Sequence, residues 1–165
     1  MKPNCAGELA MRAMKNHTII LKKEDNGEDA YASVALISSM LFTVISLNEE
    51  GLCECIEKSK SASAMICNYE HFPSKMYDYL GSPKKFSYFI RDIRNSIAHN
   101  NFGMVYTDDY KIVGMYFFPK KDEDNYIYFN EKELKTILER LVNIYMELDI
   151  DAKTKPLSEI DPAKL

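Results

Sequence analysis

Three side chains that could act together on a phosphodiester lie within six positions of the sequence. Arg94 is followed directly by Asn95, and His99 comes four residues later. Histidine titrates near neutral pH, so His99 can serve as a general base or a general acid. Arg94 keeps its positive charge and presents a planar set of donors that fits phosphate oxygens. Asn95 can orient His99, which lies one helical turn further on, or bind a phosphate oxygen itself.

The same spacing of arginine and histidine occurs a second time, at Arg12 and His17, so the spacing by itself does not identify a site. Arg12 is followed by an alanine and its pair lies near the start of the chain, and we interpret this match as coincidence. Simpler roles stay open for the other pair. His99 can be a terminal residue favoured by the helix dipole, and Arg94 a surface residue with a packed stem. His17 and His71 are predicted to be structural.

The helix that carries the motif has clear boundaries in the sequence. Ser82 can cap backbone amides and Pro83 suits the first helical position, so the sequence predicts a helix from Pro83 to about His99. At about 100° per residue, one face of this helix is apolar and is predicted to join the core. That face contains Phe86, Phe89, Ile90, Ile93 and Ile97. Arg94 lies at its flank, and Asn95 and His99 lie far from it.

The geometry of one helix limits how the motif can work. Residues five apart on an ideal helix point about 140° away from each other, so Arg94 and His99 converge poorly. Either the helix unwinds at Ala98 and His99, or two copies of the motif face each other across a dimer. A dimer would also bury the side of the helix that carries Tyr88 and Arg91.

The other elements predict a mainly helical bundle with a small sheet before the last helix. Earlier helices are expected over residues 5–23, 30–47 and 52–69. Short extended segments over residues 104–106, 112–118 and 126–129 then predict an antiparallel β-hairpin or a three-stranded insert. Asn130 and Glu133 form a capping-box pattern that opens a long final helix.

Length and composition favour a single globular unit. The chain has 165 residues, of which 46% are hydrophobic and 28% charged, and this is enough to bury a core. We expect one domain over residues 1–150 and a tail over residues 151–165. The charged N-terminal segment does not resemble a signal peptide.

Residues 30–47 form an uncharged run that is long enough to suggest a membrane span. It contains five serine and threonine residues and is bordered by acidic pairs, which favours a buried central helix and no membrane association. The four cysteines lack the spacing of a zinc site and are expected to be reduced thiols of a cytoplasmic protein. We expect no metal and no cofactor.

The net charge of −4 argues against a large, non-specific nucleic-acid surface. Residues 74–100 nevertheless hold five basic and two acidic side chains, which form either a local phosphate-binding surface or an ordinary mixed one. The candidate substrate-binding residues are Lys84, Lys85, Arg91 and Asn100. The tyrosines of the predicted sheet could stack on unpaired bases or simply pack. They are Tyr106, Tyr110, Tyr116, Tyr126 and Tyr128.

The segment RNSIAH, from Arg94 to His99, resembles the signature of the HEPN superfamily of small helical proteins. The resemblance is strongest over residues 86–102 and extends loosely to the closing helix. It implies a homodimeric, metal-independent endoribonuclease in which the arginine and histidine of both protomers share one composite cleft. It also implies an RNA-cleaving toxin or defence effector, and it allows a partner such as an antitoxin or a nucleotidyltransferase.

RNA can be cleaved without a metal if its 2′-hydroxyl is deprotonated, its phosphorane is stabilised and its leaving 5′-oxygen is protonated. His99 would move protons, Arg94 would stabilise phosphate charge, and Asn95 would orient either group. Two other functions stay open: a non-catalytic HEPN module that binds RNA, a nucleotide or a partner protein, and a helical interaction protein with no nucleic-acid role. Cleavage favours the first function, and RNA binding without cleavage favours the second.

Overall fold

A computed structural model describes residues 5–28, 31, 34–39, 49–119 and 125–148. The fold is mainly helical, with a three-stranded antiparallel sheet before the last long helix, so the predicted fold class is confirmed. The helices are α1 (Cys5–Asp25), α2 (Glu49–Lys58), α3 (Lys60–Ile66), α4 (Pro83–Ala98) and α5 (Glu131–Met146), with 3-10 helices at Tyr69–His71 and Ser74–Tyr79. The strands are β1 (Phe102–Tyr106), β2 (Ile112–Phe117) and β3 (Ile127–Asn130).

The core lies between the helices and one face of the sheet. Phe86, Phe89, Ile90 and Ile93 of α4 are fully buried and Ile97 packs against the core, as the apolar stripe predicted. α5 also turns one apolar face to the core. Its buried residues are Leu134, Ile137, Leu138, Leu141, Val142, Ile144 and Tyr145. Burial of this many large apolar side chains is the main term that stabilises such a domain.

The sheet is a meander that leads from α4 to α5. Phe102 on β1 pairs with Phe117 on β2, and Phe117 pairs with Ile127 on β3. Close packing explains one glycine on β2, because a Cβ at Gly114 would lie 2.6 Å from the backbone oxygen of Phe129. β3 ends at Asn130, whose side chain accepts a hydrogen bond from the Glu133 amide at 2.9 Å in the predicted capping box.

Two expectations for the first half of the chain need comment. The helical region predicted over residues 52–69 is divided, because Ser59 is extended and its side chain caps α3 by accepting from the Ala62 amide at 3.1 Å. Within the predicted helix over 30–47, residues 34–39 are helical, and Leu36 and Ile37 are buried. Apart from Tyr31, the rest of that run lies outside the described residues.

None of the helices that the structure describes is long and apolar enough to cross a membrane. The division into a domain over 1–150 and a tail over 151–165 stays a prediction, since residues 149–165 lie outside the described part of the chain.

Candidate active site

The start of α4 is fixed by the local signals that the sequence predicted. Ser82 is extended, with φ of −153°, and its side chain accepts a hydrogen bond from the Lys85 amide at 3.3 Å. Pro83 occupies the first turn, where its missing N–H costs nothing. Lys84 and Lys85 are exposed in this same turn. The candidate substrate-binding lysines therefore lie at the N-terminal end of α4.

The other end of α4 is closed by a Schellman motif. His99 is the C-cap residue, and its backbone N–H donates to the Asn95 oxygen at 3.0 Å. Asn100 has φ of 55°, its N–H donates to the Ile97 oxygen at 3.0 Å, and the Asn101 N–H donates to the Ser96 oxygen at 2.7 Å. A left-handed residue at this position is usually glycine and sometimes asparagine. Asn100, predicted as a substrate-binding residue, thus has a structural role that the sequence analysis missed.

The cap determines where the candidate catalytic side chains point. Arg94 and Asn95 are half-buried, and His99 is exposed. α4 ends at Ala98, and His99 has φ of −97° and ψ of 8°, although its N–H still donates to the Asn95 oxygen. The departure from helical geometry is thus confined to the C-cap. On an ideal helix Arg94 and His99 would be directed about 140° apart, and one cap residue does not bring them together.

Arg91, the fourth basic residue of the predicted site, is engaged by its neighbours on α4. Its Nε and Nη2 atoms each lie 3.3 Å from Oδ1 of Asp92, and its guanidinium lies over the Tyr88 ring at 4.4 Å from the ring centre. Asp92 also accepts a hydrogen bond from the Tyr79 hydroxyl at 3.2 Å. No local sequence pattern predicts this cluster, because it depends on a contact between α4 and the 3-10 helix at Ser74–Tyr79.

The Tyr79 hydroxyl holds its proton strongly in this cluster. Partial burial, followed by the negative charge of Asp92 and the hydrogen bond to it, raises the pKa of Tyr79 to about 12. A neutral hydroxyl that donates to Asp92 secures α4 two residues before Arg94. Tyr79 and Asp92 are therefore positioning residues for the motif helix.

The candidate residues do not form a single cluster within one chain. Lys84 and Lys85 are separated from His99 by about 20 Å along the helix, at 1.5 Å per residue. Lys75, another basic side chain of residues 74–100, forms an ion pair with Glu133 at 2.9 Å and lies 5.0 Å from the centre of the Tyr128 ring. The basic side chains of residues 74–100 therefore lie in separate places. Arg94, Asn95 and His99 lie together at the C-terminal end of α4.

The motif is attached directly to the sheet. Ser96, between Asn95 and His99 in the sequence, is fully buried, and its hydroxyl donates to the Asp92 backbone oxygen at 2.8 Å. Asn101, which follows the cap, accepts a hydrogen bond from the Phe118 amide at 2.9 Å. The end of α4 is therefore anchored to the sheet through the backbone oxygen of Asn101, which is the rigid support that a catalytic side chain needs.

Within the part of the chain that the structure describes, no group of three or more His, Cys, Asp or Glu side chains could hold a metal ion. Cys53, Cys55 and Cys67 are free thiols. Burial, reinforced by the charge of Glu57, raises the pKa of the Cys53 thiol. The other two histidines lie elsewhere: His17 is buried in α1, and His71 is exposed in a 3-10 helix.

The sequence as a whole matches one known protein family. The family described as HEPN pEK499 p136 matches residues 2–152, which is nearly the whole chain. The chain belongs to this HEPN family. Comparisons with curated proteins and with solved structures return no match. The HEPN resemblance is thus confirmed over a far larger region than the RNSIAH segment of α4.

Proposed function

We propose that this HEPN protein is a homodimeric, metal-independent endoribonuclease whose active site combines Arg94 and His99 of two chains. The observation that carries the proposal is the arrangement at the end of α4. A half-buried Arg94 and an exposed His99 are fixed by one helix and its Schellman cap, yet they point in different directions. Family membership adds the expectation of a nuclease, since HEPN domains are frequently ribonucleases.

A two-fold dimer would bring Arg94 and His99 together although they point in different directions within one chain. If the ends of two α4 helices face each other, the exposed His99 of one chain can approach the Arg94 flank of its partner, and the reciprocal contact follows from symmetry. Local unwinding is confined to the C-cap, because the His99 amide still donates to the Asn95 oxygen. The composite cleft then holds two histidines and two arginines.

The chemistry assigned to this cleft needs two proton transfers. One His99 accepts the proton of the 2′-hydroxyl as that oxygen attacks phosphorus. The other His99 donates a proton to the departing 5′-oxygen, leaving a 2′,3′-cyclic phosphate. Arg94 stabilises the negative charge that grows on the phosphorane, and Asn95, one turn before His99, orients the imidazole or a phosphate oxygen.

The lysines at the start of α4 would play a secondary part. Lys84 and Lys85 lie about 20 Å from His99 along the helix, so they would contact RNA several nucleotides from the scissile bond. Arg91 would contribute less, because Asp92 already compensates its charge. With a net charge of −4, the protein would bind RNA weakly, and the salt dependence of binding would grow with the number of phosphates contacted.

The biological role that fits such a nuclease is that of a toxin or defence effector acting on RNA in the cytoplasm, with an antitoxin or a nucleotidyltransferase as the kind of partner that would restrain it. Induced expression should stop growth, and the His99→Ala variant should be tolerated at the same protein level. Equal growth arrest by both proteins would remove the link between the motif and toxicity.

The test of the activity is incubation of purified protein with end-labelled single-stranded RNA in EDTA. We expect cleavage, products with 2′,3′-cyclic phosphate ends, and no cleavage by His99→Ala purified in the same way. His71→Ala is the matched control, because His71 is an exposed histidine outside the motif. Cleavage that disappears in EDTA and returns with magnesium would contradict the proposal. RNA binding without cleavage would favour a non-catalytic HEPN module.

A further inference from the structure

Three aromatic rings form a cluster at one end of the sheet, where β2 ends and β3 begins. Tyr116, Phe118 and Tyr126 contact one another edge to face, with ring centres 5.2, 6.2 and 6.0 Å apart. By the alternation of a strand, Tyr116 and Phe118 lie on the sheet face opposite to the buried Phe117. We call these three residues the aromatic cluster.

The aromatic cluster lies next to the end of the motif helix. The Phe118 amide donates to the Asn101 oxygen at 2.9 Å, and Asn101 is only two residues after His99. Since Phe117 pairs with Ile127, Tyr126 is the neighbour of Phe118 on the next strand. With about 5 Å between strands, the backbone of Tyr126 lies about 10 Å from that of Asn101. A few nucleotides of RNA can span this distance.

One ring of the cluster is open to solvent. Tyr126 is 58% exposed, whereas Tyr116 covers the backbone of Gly103, where a Cβ would collide with its ring. Nearby Tyr128 is also covered, by the Lys75 ammonium at 5.0 Å from the ring centre. Tyr126 therefore presents an uncovered aromatic surface that the two other rings hold in place.

We infer that the aromatic cluster is a base-stacking subsite in which Tyr126 receives an unpaired RNA base close to the scissile phosphate. This inference rests on the proposed function. Every base has a π face, so stacking on an aromatic ring is tolerant of sequence and suits single-stranded RNA. The position favours RNA over a protein partner, because the open ring lies about 10 Å from the end of α4, which carries the Arg94 and His99 that are proposed to act on the phosphate.

A second aromatic pair on the same hairpin provides an internal comparison. Tyr106 and Tyr110 are also exposed, but they stack on each other with ring planes 17° apart. They lie at the tip of the β1–β2 hairpin, about 15 Å further along the strand from the end of α4. If RNA bound any exposed tyrosine, both Tyr126 and the Tyr106–Tyr110 pair would contribute to affinity. If the subsite depends on its position beside the motif, only Tyr126 contributes.

The test measures binding of a 2′-O-methyl oligonucleotide, which lacks the nucleophile and cannot be cleaved, with 2-aminopurine as a reporter base. We expect Tyr126→Ala to weaken binding about 5- to 150-fold and to reduce the fluorescence quenching that stacking causes. Tyr126→Phe keeps the ring and should bind like wild type. Tyr110→Ala should also bind like wild type, and an oligonucleotide with an abasic site in place of the reporter base should not distinguish Tyr126→Ala from wild type.

Cleavage is measured separately, so the two proposals can fail independently. If wild type binds the oligonucleotide through Tyr126 but cuts no RNA, the subsite stands and the nuclease fails. The inference is overturned if Tyr126→Ala binds like wild type, if Tyr110→Ala loses as much affinity, or if wild type does not bind the oligonucleotide. A folded Tyr126→Ala variant that sediments as a monomer while wild type is a dimer would also overturn it, because the cluster would then be a contact between chains.

Discussion

The two places where arginine and histidine occur five residues apart have different structures. In α1, Arg12 is exposed and forms an ion pair with Glu8 at 2.8 Å, while His17 is only 3% exposed. In α4 the order is reversed, since Arg94 is half-buried and His99 is exposed at the C-cap. The spacing is the same, but only the second pair includes a histidine that is exposed to solvent.

The difference shows that the position of the pair on its helix matters more than the spacing. Arg12 and His17 lie within a continuous helix, where a histidine ring is accessible only if that face of the helix is exposed. His17 lies on a buried face. His99 lies at the last helical hydrogen bond, where the backbone turns away at Asn100 and leaves the ring accessible. A helix end can thus expose a motif that a helix interior conceals.

The sharpest contrast between the two places should come from removing each histidine. His99→Ala should reduce RNA cleavage roughly 10²- to 10⁴-fold, the range for loss of a general acid or base, and largely keep RNA affinity. His17→Ala should instead lower the free energy of unfolding by about 1–3 kcal/mol, because it leaves a cavity in place of a buried side chain. Its cleavage rate per folded molecule should stay near wild type.

Thermal unfolding and single-turnover cleavage on the same samples measure both effects. If His17→Ala abolished cleavage without unfolding the protein, while His99→Ala stayed active, the assignment of the motif would be reversed.

Substitution of the two arginines should show the same contrast, with a large effect on cleavage at Arg94 and little effect at Arg12. Arg94→Ala should slow cleavage by about 10²- to 10³-fold, as expected for loss of one group that stabilises the transition state. It should also lower the salt dependence of RNA binding by about 0.7 in the log-log slope if Arg94 contacts one phosphate of a single strand. Arg12→Ala removes an exposed, ion-paired arginine and is the matched control. Equal effects of the two substitutions on cleavage and on the slope would show that Arg94 has no special role.

Substitution of Asn100 separates its structural role from the predicted contact with substrate. Asn100→Gly keeps the left-handed backbone and removes the side chain, so stability should be unchanged, whereas Asn100→Ala should cost about 1 kcal/mol. Chemical denaturation gives these values. A loss of RNA affinity in the folded Asn100→Gly variant would show that the side chain also binds substrate, and unchanged affinity would leave only the cap.

The smallest expected effect comes from the hydrogen bond that the Tyr79 hydroxyl donates to Asp92 of α4. The raised pKa of Tyr79 means that its protonated form stabilises the fold below about pH 10 and that this contribution is lost as pH rises from 10 to about 12. Tyr79→Phe should lower stability by about 1 kcal/mol at neutral pH, since the hydroxyl is only partly buried. Its stability should then fall less steeply than that of wild type over this pH range. Parallel curves would show that Tyr79 does not contribute through its proton.

Much of the fold could be predicted because the decisive signals are local. Ser82 and Pro83 begin α4, Asn130 and Glu133 begin α5, and both patterns act within four residues of the chain. The apolar stripe of α4 was also predicted, because a period of 3.6 residues fixes which side chains share a face. The family resemblance was carried by the six residues RNSIAH at the end of α4 and was strongest over residues 86–102.

Other features depend on contacts that no local pattern reveals. The bond from Tyr79 to Asp92 joins two elements, and it changes the expected role of Arg91, which pairs with Asp92. The division of the third helical region at Ser59 depends on one extended residue within an otherwise helical composition. The cap at Asn100 was the exception, since two consecutive asparagines at a helix end are a signal that could have been recognised.

The central claim, a cleft shared by two chains, is tested most directly by diluting wild-type protein with the His99→Ala variant. After the chains have exchanged, which differently tagged chains can verify, an equal mixture should retain about one quarter of the wild-type activity. This value follows because random pairing leaves one dimer in four with both histidines. Activity close to one half, falling in proportion to the wild-type fraction at every ratio, would show that each chain carries its own independent site and would contradict the composite cleft.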